Sequence, residues 1–207
     1  MKPARTSTVA CGLILTFVAA TRGAAEDRWQ EGFESSADNV TLARAWSNDA
    51  SDDGAQALAH AWEFKGSNCL RYTYTVNNSP SGVFMDRAVH KFEADQDWSG
   101  CDKFTFHFKG EPDNSRDQVY FELRDAYGGT LGKADLPKDS TRYGAWSKAT
   151  IDISGFRNSD NGTSLSNVRA IVIGVNAGAD YGAGVVYFDN MSVASSGQGV
   201  NAAQTGE

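Results

Sequence analysis

Two short stretches, residues 103–109 (KFTFHFK) and 118–124 (QVYFELR), alternate strictly between apolar and polar side chains. Successive side chains of a β-strand point to opposite faces of the sheet, so each stretch predicts a strand with one apolar and one polar face. The apolar positions are Phe104, Phe106, Phe108, Val119, Phe121 and Leu123.

The same alternation recurs along the chain, and the repeated segments are separated by clusters of Gly, Asn, Asp and Ser that mark turns. Helical periodicity is nearly absent after residue 60, although residues 39–58 allow a short helix. Consecutive strands that each carry one apolar face predict an all-β fold, with two antiparallel sheets packed face to face as a β-sandwich. The further predicted strands are residues 69–76, 146–153, 168–175 and 185–193.

The N-terminal segment is typical of a signal peptide. Lys2 and Arg5 precede residues 9–20 (VACGLILTFVAA), an apolar run too short to span a bilayer as a helix. Small residues at 23–25 predict cleavage before Glu26. We therefore predict a signal peptide over residues 1–25, one domain over 26–193, a flexible tail over 194–207, and a secreted or periplasmic protein without membrane insertion.

The charge balance excludes nucleic acid as a partner. The chain has 19 Lys and Arg against 26 Asp and Glu, a formal net charge of −7. The first 25 residues contain three basic residues and no acid, so the remainder carries 16 basic and 26 acidic residues, or −10. A chain this acidic repels phosphate backbones, and no compact basic run offsets the repulsion.

Two cysteines remain after the predicted cleavage, since Cys11 lies within the signal peptide. In an oxidising compartment Cys69 and Cys101 are candidates for a disulfide bond. They are equally compatible with two small buried thiols, because free cysteine is among the most buried residue types. Sequence alone leaves both alternatives open.

The polar faces of three predicted strands carry side chains suited to ligand binding. Arg, His, Tyr and Glu are denser there than solvation of a sheet requires. If those strands are neighbours, the residues form one polar patch; the alternative is an ordinary solvated face with cross-strand charge pairs. We expect the other histidines, His60 and His90, near strand ends or loops and in solvent. The candidate ligand residues are Arg71, His107, Tyr120, Glu122 and Arg124.

Several segments, in their order and spacing, resemble motifs of secreted carbohydrate-binding modules of the galactose-binding-like jelly-roll superfamily. The similarity covers about residues 29 to 193, with Gly32 and Cys101 departing from the usual Asp and Tyr. The end of the chain is also similar to the domain of complex I intermediate-associated proteins. The resemblance implies a jelly-roll sandwich. The segments include residues 31–34 (EGFE), 97–101 (DWSGC), 104–110 (FTFHFKG), 121–125 (FELRD) and 186–190 (VYFDN).

The resemblance also implies a structural Ca²⁺ ion where the first and last strands meet. Glu34 and Asp189 stand at the matching positions, and Glu31 is a further candidate ligand. Carboxylate oxygens are ligands that Ca²⁺ prefers. The alternative is that Glu34 is a solvated edge residue and Asp189 a turn former.

In modules of this kind a polysaccharide or oligosaccharide lies across the concave sheet. Tyr or Trp rings stack on the apolar face of the sugar, and Arg, Asp, Glu and His side chains bind its hydroxyls. The five candidate residues have this chemistry. Trp62 and Tyr74 are further candidate platforms, although alternation places Tyr74 in the core. Trp98 and Trp146 are expected to pack at strand ends.

We therefore predict non-catalytic carbohydrate binding, with a partner enzyme or an envelope component as a further partner. One alternative is a jelly-roll polysaccharide lyase, in which His107, Tyr120 and Arg124 would be the catalytic set, or a hydrolase. A glycosidase needs two facing carboxylates, and only Glu122 is a candidate on these faces. A second alternative is a structural or protein-interaction domain.

Overall fold

The computed structural model describes residues 26–36, 38–48, 57–64, 67–76, 85–156, 164–176 and 182–195. The predicted signal peptide lies outside these residues, as does the predicted tail beyond residue 195. The described strands are β1 (Glu26–Glu31), β2 (Trp46–Asn48), β3 (Ala57–Phe64), β4 (Ser67–Val76), β5 (Met85–Gln96), β6 (Lys103–Gly110), β7 (Gln118–Arg124), β8 (Thr130–Asp135), β9 (Ser147–Asp152), β10 (Val168–Asn176) and β11 (Gly182–Ser195). The helices are α1 (Asn39–Ala45) and two 3₁₀ turns, Ser140–Arg142 and Ile153–Phe156.

The strands form two antiparallel sheets. The six-stranded sheet has the order β3-β4-β11-β6-β9, and β1 pairs with the C-terminal part of β11. The five-stranded sheet has the order β2-β5-β10-β7-β8. The predicted all-β sandwich of two antiparallel sheets is confirmed.

The core lies between the sheets and is built by the alternation that predicted the strands. Phe104 and Phe106 of β6 both contact Phe121 of β7, with ring centroids 4.9 and 4.6 Å apart. These rings join one sheet to the other, and truncating a buried ring of this kind costs about 3–5 kcal/mol. Tyr74 is fully buried in the same core, as alternation predicts.

The strands that sequence patterning missed lack a clean alternation. In β5, Ala88 and Phe92 face the core while Val89 between them is buried on the opposite side, so both faces are apolar. The short helix that residues 39–58 allow is α1, whose N-terminus is capped by Asp38 through the backbone N–H of Thr41 (2.8 Å). Within the described residues, no helix is long and apolar enough to cross a membrane. Strand β11 continues through Ser195, two residues into the segment predicted as a tail.

Cys69 and Cys101 are two separate buried thiols, so the candidate disulfide bond is not formed. Cys101 belongs to the core between the sheets. Cys69 instead packs against Tyr187, on the opposite, outer side of the six-stranded sheet. The body of this sheet separates the two sulfur atoms, and the buried-thiol alternative holds.

Candidate functional site

The five predicted ligand residues lie on opposite sides of the sandwich. Arg71 of β4 and His107 of β6 lie on the outer face of the six-stranded sheet, here called face A. The three residues of β7 lie on the outer face of the five-stranded sheet, here called face B. Because the sheets pack through their apolar sides, these outer faces point away from each other. The five residues therefore do not form the single polar patch that was expected if their strands were neighbours.

Face A carries aromatic side chains that are largely covered. Tyr187 of β11 lies between Arg71 and Lys109 in the strand register. The ammonium group of Lys109 is 4.8 Å from the centroid of the Tyr187 ring. The Trp146 ring packs beside the Tyr187 ring, with the two ring centroids 6.3 Å apart. Tyr187 is buried, so its ring is not exposed as a platform for a ligand.

One half of face B is closed by Tyr120. Although its side chain points away from the core, it is only 1% exposed. The ring lies directly on Gly174 of β10, where an added Cβ atom would fall 2.1 Å from the Cζ atom of Tyr120. Lys133 covers the ring with its ammonium group 3.8 Å from the ring centroid. Tyr120 is therefore a packing residue in this structure rather than an exposed stacking platform.

Glu122 and Arg124 form an ion pair on face B. Residues two apart in a strand share a face, which places the two side chains together. The Nε atom of Arg124 donates to Oε1 of Glu122 at 2.6 Å, and the hydroxyl group of Thr130 donates to the same oxygen at 2.8 Å. The pair is well shielded from solvent, since the side chain of Arg124 is 14% exposed and that of Glu122 is 10% exposed. Glu122 therefore fixes the position of the Arg124 guanidinium.

The other half of face B is an open groove of about 400 Å³. Its floor is formed by the small apolar side chains of Val89 and Ala170, which cluster with Val172. The strand register places Val89 beside Val172, and Ala170 between Lys91 and Arg124. The groove is lined further by Lys91, Arg124, Arg169 and the turn that joins β7 to β8.

That turn presents an exposed aromatic ring at the rim of the groove. The Oδ1 atom of Asp125 accepts the backbone N–H groups of Tyr127 and Gly129, each at 2.8 Å. Gly128 adopts φ = +83°, a left-handed conformation that favours glycine. Tyr127, held by this turn, is 98% exposed. The sequence prediction missed Tyr127, although a tyrosine in a turn otherwise built from Asp, Ala and Gly is an anomaly that could have identified it.

A buried carboxylate, Asp189, lies where β1 and β4 meet along the same edge of β11. It is 1% exposed, and burial raises its pKa to about 6. The charges of Glu34 and Glu31 add to the rise, whereas hydrogen bonds from the backbone of Asn190 and the side chain of Ser67 oppose it. The backbone N–H of Asn190 donates to its Oδ1 atom at 2.6 Å. Its Oδ2 atom has no hydrogen-bond partner among the described residues. A buried polar atom in this state is costly unless something else compensates for it.

The other two predicted Ca²⁺ ligands bind backbone and amide groups. Glu31 accepts the backbone N–H of Phe33 at 2.8 Å. Glu34 accepts the backbone N–H of Asn68 at 2.7 Å and its side-chain amide at 3.3 Å. Within the described parts of the chain, no three His, Cys, Asp or Glu side chains are grouped closely enough to hold a metal ion. The three carboxylates thus influence one another electrostatically without forming a complete coordination shell.

The remaining predicted residues occupy different surroundings. His90 is part-buried in the middle of β5, with its ring between those of Trp29 (5.8 Å) and Trp46 (5.2 Å), so its expected place in solvent is wrong. Trp98 is buried, whereas the side chains of His60 and Trp62 lie outside the described part of the structure. The set proposed for a lyase does not assemble, because His107 lies on face A and both Tyr120 and Arg124 lie on face B.

Comparison with known proteins identifies the fold. No family model matches the sequence, and no curated protein matches it. A family 11 carbohydrate-binding module from Clostridium thermocellum, in complex with a β-1,3-1,4-mixed-linked tetrasaccharide, is 18% identical with a TM-score of 0.55, covering 73% of this chain and 89% of the module. A family 28 module specific for non-crystalline cellulose is 15% identical, with a TM-score of 0.54 and the same coverage.

The same fold also occurs as part of larger enzymes. An arabinose-bound α-L-arabinofuranosidase is 13% identical with a TM-score of 0.51, and the match covers 79% of this chain but 25% of the enzyme. The jelly-roll sandwich of carbohydrate-binding modules, expected from the resemblance, is confirmed as the fold of this chain.

Proposed function

We propose that the protein binds a polysaccharide or oligosaccharide in the groove of face B, without transforming it. The observation that carries the proposal is Tyr127, 98% exposed on a turn beside the groove. A large apolar ring held in solvent has no role in packing, whereas it suits stacking on the C–H face of a sugar. The fold supports the proposal, since modules that share it bind a mixed-linked tetrasaccharide or non-crystalline cellulose.

The groove also has the composition that sugar recognition needs. Val89 and Ala170 give a floor without bulky side chains, which leaves room for a pyranose ring. Arg124 and Lys91 supply hydrogen-bond donors for hydroxyl groups. Glu122 holds Arg124 and is itself hydrogen-bonded by Thr130. Little side-chain entropy of Arg124 is therefore lost when a ligand binds it.

The proposal is tested by screening the purified protein on a glycan array and measuring the best ligands by isothermal titration calorimetry. We expect Tyr127→Ala to weaken binding at least about 10-fold while leaving the melting temperature unchanged. Tyr143→Ala is the matched control, since Tyr143 is also exposed but lies away from the groove. It follows the 3₁₀ turn that contacts the start of β7, whereas Tyr127 follows the end of β7. Equal binding by Tyr127→Ala and the parent would reject the groove as the site.

The catalytic alternative needs its own measurement. A lyase would release unsaturated products that absorb in the near ultraviolet, and a hydrolase would release new reducing ends. We expect neither during prolonged incubation with any polysaccharide that the protein binds. Product formation that persists in a Tyr127→Ala, Arg124→Ala double variant would place an activity elsewhere on the chain.

We also propose that Ca²⁺ binds beside Asp189. The unpaired Oδ2 atom of this buried carboxylate and the nearby charges of Glu31 and Glu34 support an ion that takes oxygen ligands. Such an ion would neutralise the carboxylates and tie β1 to β11. Glu31 and Glu34 would have to exchange their present N–H donors for the ion.

The Ca²⁺ proposal is tested by thermal unfolding in chelator and in about 1 mM Ca²⁺, a concentration at which extracellular modules are occupied. We expect Ca²⁺ to raise the melting temperature of the parent and not that of Asp189→Asn. Asp113→Asn, which changes an exposed carboxylate, should respond as the parent does. The same response in all three proteins, or in none, contradicts a site at Asp189.

We further propose that the protein acts outside the cytoplasm, in the periplasm or beyond, beside a partner enzyme or an envelope component. The apolar run of residues 9–20 supports this location. Fractionation of the source cells, followed by N-terminal sequencing of the exported chain, tests both the location and cleavage before Glu26. An uncleaved chain in the cytoplasm would contradict the proposal.

A further inference from the structure

The groove of face B differs in charge from the rest of the molecule. Three cationic side chains, Lys91, Arg124 and Arg169, line it against one carboxylate, Asp125. The whole chain has a formal charge of −7. Arg124 and Arg169 have carboxylate partners outside the lining, but an anion that enters the groove meets more positive than negative side chains there, which favours its binding.

The carboxylate in the lining has a structural role. Asp125 accepts two backbone N–H groups through Oδ1, those of Tyr127 and Gly129. An added Cβ atom at Gly129 would lie 2.9 Å from the Oδ2 atom of Asp125, which shows how closely the carboxylate packs against the turn. The charge of Asp125 is therefore partly satisfied by the turn that carries Tyr127.

The three cations differ in how strongly other carboxylates engage them. Lys91 is exposed and forms no ion pair within the part of the chain that the structure describes. Arg169 has Asp95 at 3.4 Å, but both side chains are more than one third exposed, and exposed pairs of this kind are weak. Lys91 and Arg169 can thus engage a ligand without breaking a buried ion pair.

Arg124 contributes differently, because its Nε atom binds Glu122 in a shielded pair. Glu122 does not line the groove and acts as a positioning residue for the guanidinium that does. A guanidinium fixed in this way suits the planar carboxylate of a sugar acid, since its N–H groups form a fork that matches two oxygens.

We propose that the groove selects saccharides that carry anionic groups, with the anion among Lys91, Arg124 and Arg169 and the sugar ring against Tyr127. The inference rests on the proposed function and specifies its substrate class. Carboxylates of uronic acids and sulfate esters share the required chemistry. The selection comes from charge, so it is expected to weaken as salt screens the groove.

The test compares oligogalacturonate with the same oligosaccharide after full methyl esterification, which removes the charge and keeps the sugar backbone. A sulfated oligosaccharide of equal length and its unsulfated parent form the second pair. By isothermal titration calorimetry at low salt, we expect at least about 10-fold tighter binding of the charged member of one pair, and a smaller ratio at about 0.5 M salt. The pair that shows the preference identifies the anion.

Charge-removing variants connect this preference to the groove. Lys91→Gln and Arg169→Gln are each expected to reduce the preference about 5-fold, and Lys91→Arg should retain it. Lys148→Gln is the matched control, since it removes one exposed positive charge from the opposite face of the sandwich. Both altered positions are on the surface, so the melting temperatures should stay within about 1 °C of the parent.

Two results would overturn the inference: equal affinity for the charged and uncharged members of both pairs, or a preference that survives in the Lys91→Gln, Arg169→Gln double variant. If uncharged saccharides bind and depend on Tyr127, the proposed function stands and only the charge selection fails. If no saccharide binds, the proposed function and this inference fail together.

Discussion

Faces A and B have similar compositions but different surfaces. Both carry arginine, lysine and tyrosine side chains on strand interiors. On face A the aromatic ring of Tyr187 is buried among its neighbours. Face B is closed over Tyr120 and has a groove lined by Ala170 and longer side chains. The polar composition of a strand therefore does not identify a binding surface. What distinguishes face B is a run of small or short side chains that leaves space beside an exposed ring.

The largest expected effect tests the closed half of face B. Gly174→Ala would place a Cβ atom within 2.1 Å of the Tyr120 ring, so we expect the free energy of unfolding to fall by about 3 kcal/mol in chemical denaturation. Gly100→Ala is the control, because its added Cβ would have no atom within 4 Å. Adding Tyr120→Leu should recover part of the loss. An unchanged midpoint for Gly174→Ala would show that the ring does not lie on this residue.

The next effect contrasts one ion pair on each face. Glu122→Ala leaves the shielded Arg124 guanidinium without its carboxylate, at an expected cost of about 2 kcal/mol. On face A, Lys103 and Asp152 form a pair with side chains 51% and 62% exposed. Asp152→Ala should cost less than about 0.5 kcal/mol. Equal losses in urea titrations of the two variants would contradict the difference in shielding between the faces.

A third prediction concerns the carboxylate of Asp189, which lies on the side of face A. Its pKa of about 6 exceeds the ordinary value of 3.8, so the folded state binds the proton more tightly than the unfolded state. Stability is therefore highest below about pH 4 for this group, and falls as pH rises towards 6. In chelator at pH 7, Asp189→Asn should be more stable than the parent by about 1–2 kcal/mol. A destabilised variant, measured by thermal unfolding, would contradict this assignment.

The smallest effect concerns the interior that the faces share. Burial among aromatic rings lowers the pKa of His90, against the opposing effects of its hydrogen bond to the carbonyl oxygen of Ala45 (2.9 Å) and of the Glu31 charge. The folded state disfavours the proton, so stability from this group is full above the unfolded pKa of 6.5 and falls as pH decreases below it. Melting temperatures of His90→Gln should fall less than those of the parent between pH 7 and pH 5.

The Asp189 and His90 effects have opposite signs in overlapping pH ranges, so each is obtained as the difference between a variant and the parent. Parallel melting curves for His90→Gln and the parent would show that His90 titrates alike in the folded and unfolded states. Neither group lies in the groove of face B. Saccharide binding by both variants should therefore match that of the parent at pH 7, in the presence of Ca²⁺.

Local patterns predicted the strands well where one face is apolar. The alternation over residues 118–124 gave the bounds of β7 as the structure has them. Strand β8 was missed because its sequence, TLGKAD, contains few large apolar residues. Its residue 132 must be glycine, because a Cβ atom there would lie 1.1 Å from the carbonyl oxygen of Phe156. The need for that glycine comes from another element of the fold, so neighbouring residues do not reveal it.

The sequence by itself determined which side of each patterned strand is apolar, and hence the all-β sandwich, because side-chain alternation is a property of a single strand. It also supplied the residue types of the candidate sites. Only the tertiary structure decided which strands are neighbours. The pairing of β10 with β7 placed Arg124 and Tyr120 on face B, whereas the pairing of β11 with β6 placed His107 on face A.

Strand order also decided accessibility. Tyr120 became a covered ring because β10 offers Gly174 beside it, and Tyr127 became the exposed ring because a turn projects it beyond the sheet. Non-local pairing depends on contacts between residues far apart in the chain, so no local pattern contains it. The residue types of the candidate site are therefore a property of the sequence, whereas its location depends on how the two sheets pack.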